Sequence, residues 1–359
     1  MTTYLLAGGG TAGHVNPLLA VADRLREREP GSLILVLGTK EGLEARLVPE
    51  RGYELLTIDR VPLPRRPNAA ALAFPKALRG TIDDVRSIIR DRSVDIVVGF
   101  GGYVAAPAYL AARAENIPMA IHEANARPGV ANRLGARFTS HVGVAFAGTK
   151  IRGGTFVGMP LRREIEQLDR FTARREGLRY FGLDEARPTL LVTGGSSGAK
   201  SINATISRSI TLILGVGWQV IHVTGAYRDA VTDPRLAGYV VLAYADRMDL
   251  ALAAADLALS RAGTSSVAEA AALGIPAVFV PYPVGNGEQR FNARGAMQAG
   301  GAILVADARF TPEWVASDLV PLLRDRAAIA DMAARMATTG ALDGTDRMVE
   351  LIGRALAAK

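Results

Sequence analysis

Short runs of consecutive apolar residues alternate along this chain with segments whose apolar residues recur every three or four positions. Leu5-Leu6-Ala7, Leu33–Leu37, Tyr53–Ile58, Val94–Val98, Pro118–Ile121 and His141–Val144 are runs of the first kind. That is the pattern of strands buried on both faces. After the first run, Leu18, Val21, Ala22 and Leu25 fall at helical spacing and leave Arg24, Arg26 and Arg28 outside. The helix is expected to begin near Asn16, as N-cap, with Pro17 in its first turn. The pattern restarts at Thr189–Thr193, continues as a helix through Ile202, Ile206 and Ile210, and gives further strands at Trp218–Val223, Val240–Leu242, Asp256–Leu259 and Ala277–Val280. Such alternation predicts an α/β protein whose parallel sheets are covered by helices on both faces. Gly158-Met159-Pro160 marks a crossing between halves. The expected domains are 1–160 and 161–340, with helices at about 311–338 and 344–358. Residues 341–359 are expected to pack back on the first domain.

A chain of 359 residues exceeds one comfortable core, which agrees with two domains. Cysteine is absent, so disulfides and thiolate metal sites are excluded. The N-terminus has no basic segment followed by a long apolar one, and no run reaches the roughly 18 to 20 apolar residues of a membrane span. Cytoplasmic folding is the expectation. The net charge of +7 is uneven: residues 1–160 carry +6 and 161–359 carry +1. Eight basic residues, Arg60, Arg65, Arg66, Lys76, Arg79, Arg86, Arg90 and Arg92, face three acidic ones within 60–92. Such a zone suits nucleic acid, anionic lipid or a phosphorylated ligand. Nucleic acid is disfavoured, because Phe74 is the one aromatic there and no base-reading motif accompanies it.

The chemistry gathers at the ends of predicted strands. Gly8, Gly10 and Gly13 match G-x-G-x-x-G, but the second strand ends Val36-Leu37-Gly38-Thr39 without the acid that a dinucleotide ribose requires. What remains is a loop whose N–H groups suit phosphate. His14 follows it, and histidine's ordinary pKa lets it accept a proton from an attacking hydroxyl. Gly99–Tyr103 and His122–Asn125 lie on the same rim. Glu123 and Asn125 either bond sugar hydroxyls or cap the helix near 129–137, with Glu123 as reserve base. In the second half a strand leads through Ser260–Gly263 into a helix opening at Thr264-Ser265, whose N–H groups suit a diphosphate. Glu269 on that helix can reach ribose hydroxyls, and Glu288, Gln289 and Asn292 offer polar groups at another helix start.

Gly9–His14, Gly99–Tyr103, His122–Asn125, Gly194–Ala199 and Arg261–Glu269 with Glu288-Gln289 occur together and in the order seen in the MurG family, which this chain resembles over about residues 4–305. The resemblance implies a GT-B fold, two Rossmann-like parallel-sheet domains facing across a cleft. It also implies transfer of N-acetylglucosamine from UDP-GlcNAc to the 4-hydroxyl of a lipid-linked muramoyl-pentapeptide, with inversion. His14 and Glu269 are then expected on the two sides of that cleft. His14 would be the base. Ser196 and the helix start at Thr264 and Ser265 would hold diphosphate and ribose, with Glu269 on the ribose. Ala245 would meet uracil through its backbone, Gln289 with Glu288 would read the sugar, and Arg162 and Asn125 would complete the donor site. Thr11, Ala12 and Gly13 join the substrate contacts, and the acceptor pyrophosphate would lie against the N-terminal glycine loops. Either Arg162 or Arg261 would balance the departing charge.

The sequence departs from that family at Ala124 and Ser197, where glutamine is usual, at Met159 and in the polar Thr264-Ser265-Ser266. The alternative is therefore a paralogue acting on another lipid-linked or natural-product acceptor. No Asp-x-Asp occurs, so neither a metal nor another cofactor is expected. Residues 61–80 mix apolar and basic side chains broken by prolines, which suits peripheral docking on an anionic membrane surface at the cytoplasmic face.

Overall fold

The computed structural model describes residues 1–62, 69–195, 198–230, 236–284 and 287–358, the side chains of 69–71 and 228–230 excepted. The chain divides into two compact units, Met1–Arg162 with Asp343–Lys359, and Arg163–Leu342.

The first unit runs β1 (Thr3–Gly8), α1 (Ala12–Arg28), β2 (Leu33–Gly38), α2 (Glu44–Glu50), β3 (Glu54–Thr57), α3 (Ala69–Asp91), β4 (Ile96–Gly101), α4 (Ala105–Ala114), β5 (Met119–Glu123), α5 (Val130–Gly135), β6 (Val142–Val144) and β7 (Gly154–Phe156). Its seven parallel strands are ordered β3-β2-β1-β4-β5-β6-β7. Alternate residues of β1 explain why the strands read as unbroken apolar runs. Leu6 packs with Leu18, Val21 and Val98 on one face; Leu5 packs with Val97, Tyr109 and Ile121 on the other. Residues 343–357 return to this unit as a C-terminal helix, Gly344–Ala357, which adds Met348, Leu351 and Ile352 to the α1 face. Asp346 at its start pairs with Arg24 and Arg28 of α1.

The second unit runs α6 (Arg163–Glu166), α7 (Arg170–Tyr180), β8 (Thr189–Thr193), α8 (Lys200–Gly215), β9 (Gln219–Val223), β10 (Tyr239–Leu242), α9 (Met248–Ala254), β11 (Leu257–Ser260), α10 (Thr264–Ala272), β12 (Ala277–Phe279), α11 (Glu288–Asn292), α12 (Arg294–Ala299) and β13 (Ala302–Leu304). Six parallel strands are ordered β10-β9-β8-β11-β12-β13. Trp218, fully buried, anchors the core here, and its indole N–H donates to the Leu323 carbonyl at 2.7 Å.

Four elements differ from the sequence reading. Helix α1 starts at Ala12, with Thr11 as its extended N-cap, five residues before the expected N-cap Asn16. Pro17 therefore sits inside it, and supplies no N–H to the Gly13 carbonyl one turn back. The short edge strands β7 and β13 carry three residues each, too few to show a period. The segment expected as one helix over 311–338 breaks at Asp325, whose side chain accepts from Ala328 N–H and caps the helix Arg326–Ala337.

Candidate functional site

In each sheet the chain moves outward from a central strand and then returns to its other side, so the strand order reverses at β1/β4 and at β8/β11. Loops at the carboxyl ends of such strand pairs form the crevice where open parallel sheets hold ligands. The sequence motifs fall on these two crevices.

In the first unit, the loop after β1 and the turn ending β4 are pressed together. Gly102 has φ +84°, and a Cβ there would lie 2.6 Å from the Gly9 carbonyl oxygen, so backbone meets backbone with no room for a side chain. His14, half-buried in the first turn of α1, turns its ring back over this loop. Its Nδ1 lies 3.1 Å from the Gly9 carbonyl oxygen and 3.3 Å from Thr11 Oγ1. A carbonyl only accepts, so this contact assigns the ring proton to Nδ1 and leaves a lone pair on Nε2. Nε2 faces Gly101, where φ is +95° and a Cβ would stand 3.1 Å from it. Ala12 and Gly13, in the same first turn, have N–H groups without acceptors inside the helix. The Gly10 N–H is different. It donates to Glu44 at 2.8 Å, so that part of the expected phosphate cradle is already occupied.

The reserve base has other duties. Glu123 is 2 % exposed; Oε1 accepts from Asn125 N–H at 2.8 Å, and Oε2 from Gly129 N–H and Asn132 Nδ2, both at 2.9 Å. Asn132 in turn accepts from Tyr109 OH at 2.7 Å and donates to the His122 carbonyl at 3.1 Å. Glu123 thereby fixes the turn that presents Asn125 and starts α5, as the capping reading expects. Its neighbour His122 is fully buried with Nε2 3.1 Å from the Gly158 carbonyl. Burial pulls this imidazole down to about 4, against the opposing pull of the carbonyl, so it is neutral near pH 7.

In the second unit Gly263 is the extended N-cap of α10, which opens its first-turn N–H groups at Thr264 and Ser265. Glu269 lies half-buried further along the same helix. Asn292, 1 % exposed, donates to the Ala262 carbonyl at 3.2 Å and fastens α11 to this turn. Gln289 Oε1 accepts from Tyr282 N–H at 2.8 Å, which leaves its NH₂ group to point elsewhere. Glu288, beside it, is half-buried; Ala245 is buried and its neighbour in sequence, Tyr244, is exposed. Arg162, half-buried, ends the first unit. Ser196 lies outside the described residues.

Arg261 is engaged within the second unit. It is 8 % exposed, and its guanidinium donates to the Val280 and Pro281 carbonyls at 3.1 and 3.2 Å, to Ser201 Oγ at 2.8 Å and to the Asp307 carboxylate. A cation that meets four internal acceptors is a brace between β11, β12 and α8.

Several contributors escaped the sequence reading. Glu44, Thr39, Tyr109 and Asn132 hold the first crevice; Asn203 holds the second, donating to the Thr224 and Tyr227 carbonyls at 2.9 and 3.3 Å and accepting from His222 Nε2 at 3.1 Å. The available signal was polar residues falling on faces that the periodicity marks as buried, such as Asn203 one residue after Ile202.

Comparison with known proteins agrees with this geometry. Residues 4–144 match the glycosyltransferase family 28 N-terminal domain and residues 189–348 its C-terminal domain. The chain is 61% identical over 358 residues, 100% of both chains, to the UDP-N-acetylglucosamine--N-acetylmuramyl-(pentapeptide) pyrophosphoryl-undecaprenol N-acetylglucosamine transferase of Leifsonia xyli subsp. xyli. It is 58% identical to the protein of the same name from Clavibacter sepedonicus, over 100% of this chain and 98% of that one. The crystal structure of Acinetobacter baumannii MurG superposes with a TM-score of 0.81 at 30% identity, covering 99% of this chain and 100% of that one. With two parallel α/β sheets, a GT-B type architecture and full-length identity of this order, the chain belongs to glycosyltransferase family 28 and, within it, to the MurG family.

Proposed function

We propose that this protein transfers N-acetylglucosamine from UDP-GlcNAc to the 4-hydroxyl of an undecaprenyl-pyrophosphoryl N-acetylmuramoyl-pentapeptide, with inversion at the anomeric carbon. The observation that carries the mechanism is the Gly9 carbonyl on His14 Nδ1, which leaves Nε2 to accept a proton. Nε2 takes the proton of the acceptor hydroxyl, the freed oxygen bonds to the anomeric carbon, and the bond from that carbon to the diphosphate oxygen breaks. UDP departs with the electron pair. The first-turn N–H groups of α10 at Thr264 and Ser265, together with Ser196 and Arg162, meet the charge that develops on it. Glu269 takes the ribose hydroxyls, the Ala245 backbone the uracil, and Gln289 and Glu288 the sugar. Asn125 assists at the donor, and Thr11, Ala12 and Gly13 face the acceptor pyrophosphate.

The acceptor's lipid calls for membrane docking. Among the described residues no helix is long and apolar enough to cross a membrane. The first turns of α3 support peripheral docking, because Leu72, Ala73, Lys76, Ala77 and Arg79 are all exposed. Arg65 and Arg66, the other cations of this zone, lie outside the described residues. Anionic lipid at the cytoplasmic face is the surface this composition fits, and nucleic acid is not a partner.

The test is incubation with labelled UDP-GlcNAc, with and without the lipid-linked muramoyl acceptor. Label should move to the lipid fraction with release of UDP only when acceptor is present. Acceptor-independent turnover of the donor, or transfer only to a different acceptor, would refute the reading.

A further inference from the structure

Glu44 is a carboxylate with no exposed surface, buried at the start of α2 beside the first crevice. Its Oε1 accepts from Thr39 N–H at 2.9 Å and Thr39 Oγ1 at 2.8 Å, and its Oε2 from Gly10 N–H at 2.8 Å. Three glycines make room for it. A Cβ at Gly9, Gly38 or Gly42 would come within 2.3, 2.5 or 2.1 Å of its side chain. These donors hold the carboxyl below the ordinary carboxylate range despite burial, which acts the other way, so the group is charged at neutral pH.

The Gly10 N–H that Glu44 holds and the Gly9 carbonyl that meets His14 Nδ1 belong to the same peptide group. A peptide unit is planar and trans, so its N–H and C=O point in opposite directions. With glycine on both sides, and φ +88° at Gly10, that plane can rotate at little steric cost. Rotation would turn an N–H toward His14 Nδ1, and the ring could answer only by moving its proton to Nε2. We infer that Glu44 is a positioning residue: by gripping one edge of the Gly9–Gly10 peptide it keeps the other edge on His14 Nδ1 and so keeps the Nε2 lone pair available. The inference rests on His14 being the base, as proposed above. A charge-assisted bond to a backbone N–H is strong enough to select one orientation of a glycine–glycine peptide.

The experiment has two arms. In wild-type protein, the ¹⁵N shifts of the His14 ring near neutral pH read the tautomer without any variant, and the Nδ1–H form is expected. In Glu44→Gln the amide offers one oxygen to two backbone donors, so Gly10 and Thr39 compete for it. The expected result is a mixed tautomer at His14 and a kcat for transfer about tenfold lower, part of the 10²–10⁴ a general base supplies, with KM for UDP-GlcNAc unchanged. Ile352→Ala, a cavity in the same unit's core on the C-terminal helix, serves as the control for lost stability; it should keep kcat within about twofold and leave the tautomer alone. A wild-type ring in the Nε2–H form, or a folded Glu44→Gln protein with wild-type tautomer and kcat, overturns the inference. His14→Ala with normal turnover would remove the base reading instead, and the His14 ring shifts of wild type compared with Glu44→Gln would still report whether Glu44 sets the tautomer.

Discussion

At the scale of single residues, the site depends on backbone atoms as much as on side chains. Gly101 shows this most sharply: it combines φ +95° with a missing Cβ directly against His14 Nε2. Gly101→Ala is expected to lower kcat at least about tenfold, through both strain and obstruction of the base, while UDP-GlcNAc affinity by calorimetry stays near wild type. His14→Ala should cost about 10²–10⁴ in kcat with donor affinity likewise preserved. Arg261 carries the opposite expectation. Its removal leaves Asp307 and two carbonyls without their cation, so Arg261→Ala should destabilise the second unit by about 3–5 kcal/mol, read as a lower urea midpoint. Lysine should not restore it, because one ammonium cannot span four acceptors fixed around a planar fork.

Most elements were legible because both sheets are parallel and buried on both faces, which makes strands such as Leu33–Gly38 unbroken apolar runs. Boundaries were less legible where a residue is ambiguous. Asn16-Pro17 has the chemistry of a helix start, yet Ala12 and Gly13 are small enough for the chain to enter α1 straight from the loop. The motifs stand at the carboxyl ends of strands, as the apolar runs before them indicated, but the internal hydrogen bonds of their polar residues were not in the spacing. Glu123 and Arg261 stand at strand ends as ligand-binding residues do, and only their hydrogen bonds show them spent internally. Glu44 follows Gly42 by two residues and repeats no period, so nothing in a linear pattern marks its burial. At α3 the exposed Lys76 and Arg79 stand near Leu72. Lys76→Glu with Arg79→Glu should reduce sedimentation with phosphatidylserine or phosphatidylglycerol vesicles by about tenfold or more, since each cation contributes about 1 kcal/mol at such a surface.

Across the whole molecule, each unit holds one buried, neutral histidine. Burial lowers His122 and His222 from 6.5 to about 4. The unfolded chain then takes up protons more readily than the folded one between those values. Stability is therefore complete above about pH 6.5 and is lost as pH falls toward 4, by about 3 kcal/mol for each histidine. Urea midpoints followed from pH 7 to 4 should show this fall, and His222→Gln should flatten it for the second unit. Because each unit has its own core, ligand linkage can also be read unit by unit. Saturating UDP-GlcNAc at about 100 times its Kd should stabilise the unit that grips it by about 2.7 kcal/mol. Hydrogen exchange should slow in β8 and β11 more than in β1 and β4; the reverse pattern would move the donor to the first unit.

The helix Gly344–Ala357 supplies part of the first unit's core although every residue of the second unit precedes it in the chain. During synthesis the leading 162 residues must therefore wait, part of one face of their sheet uncovered, while the later unit emerges and can close on its own. Order of translation and order of completion run in opposite directions, and in the interval between them the apolar surface that the last helix will cover stands exposed.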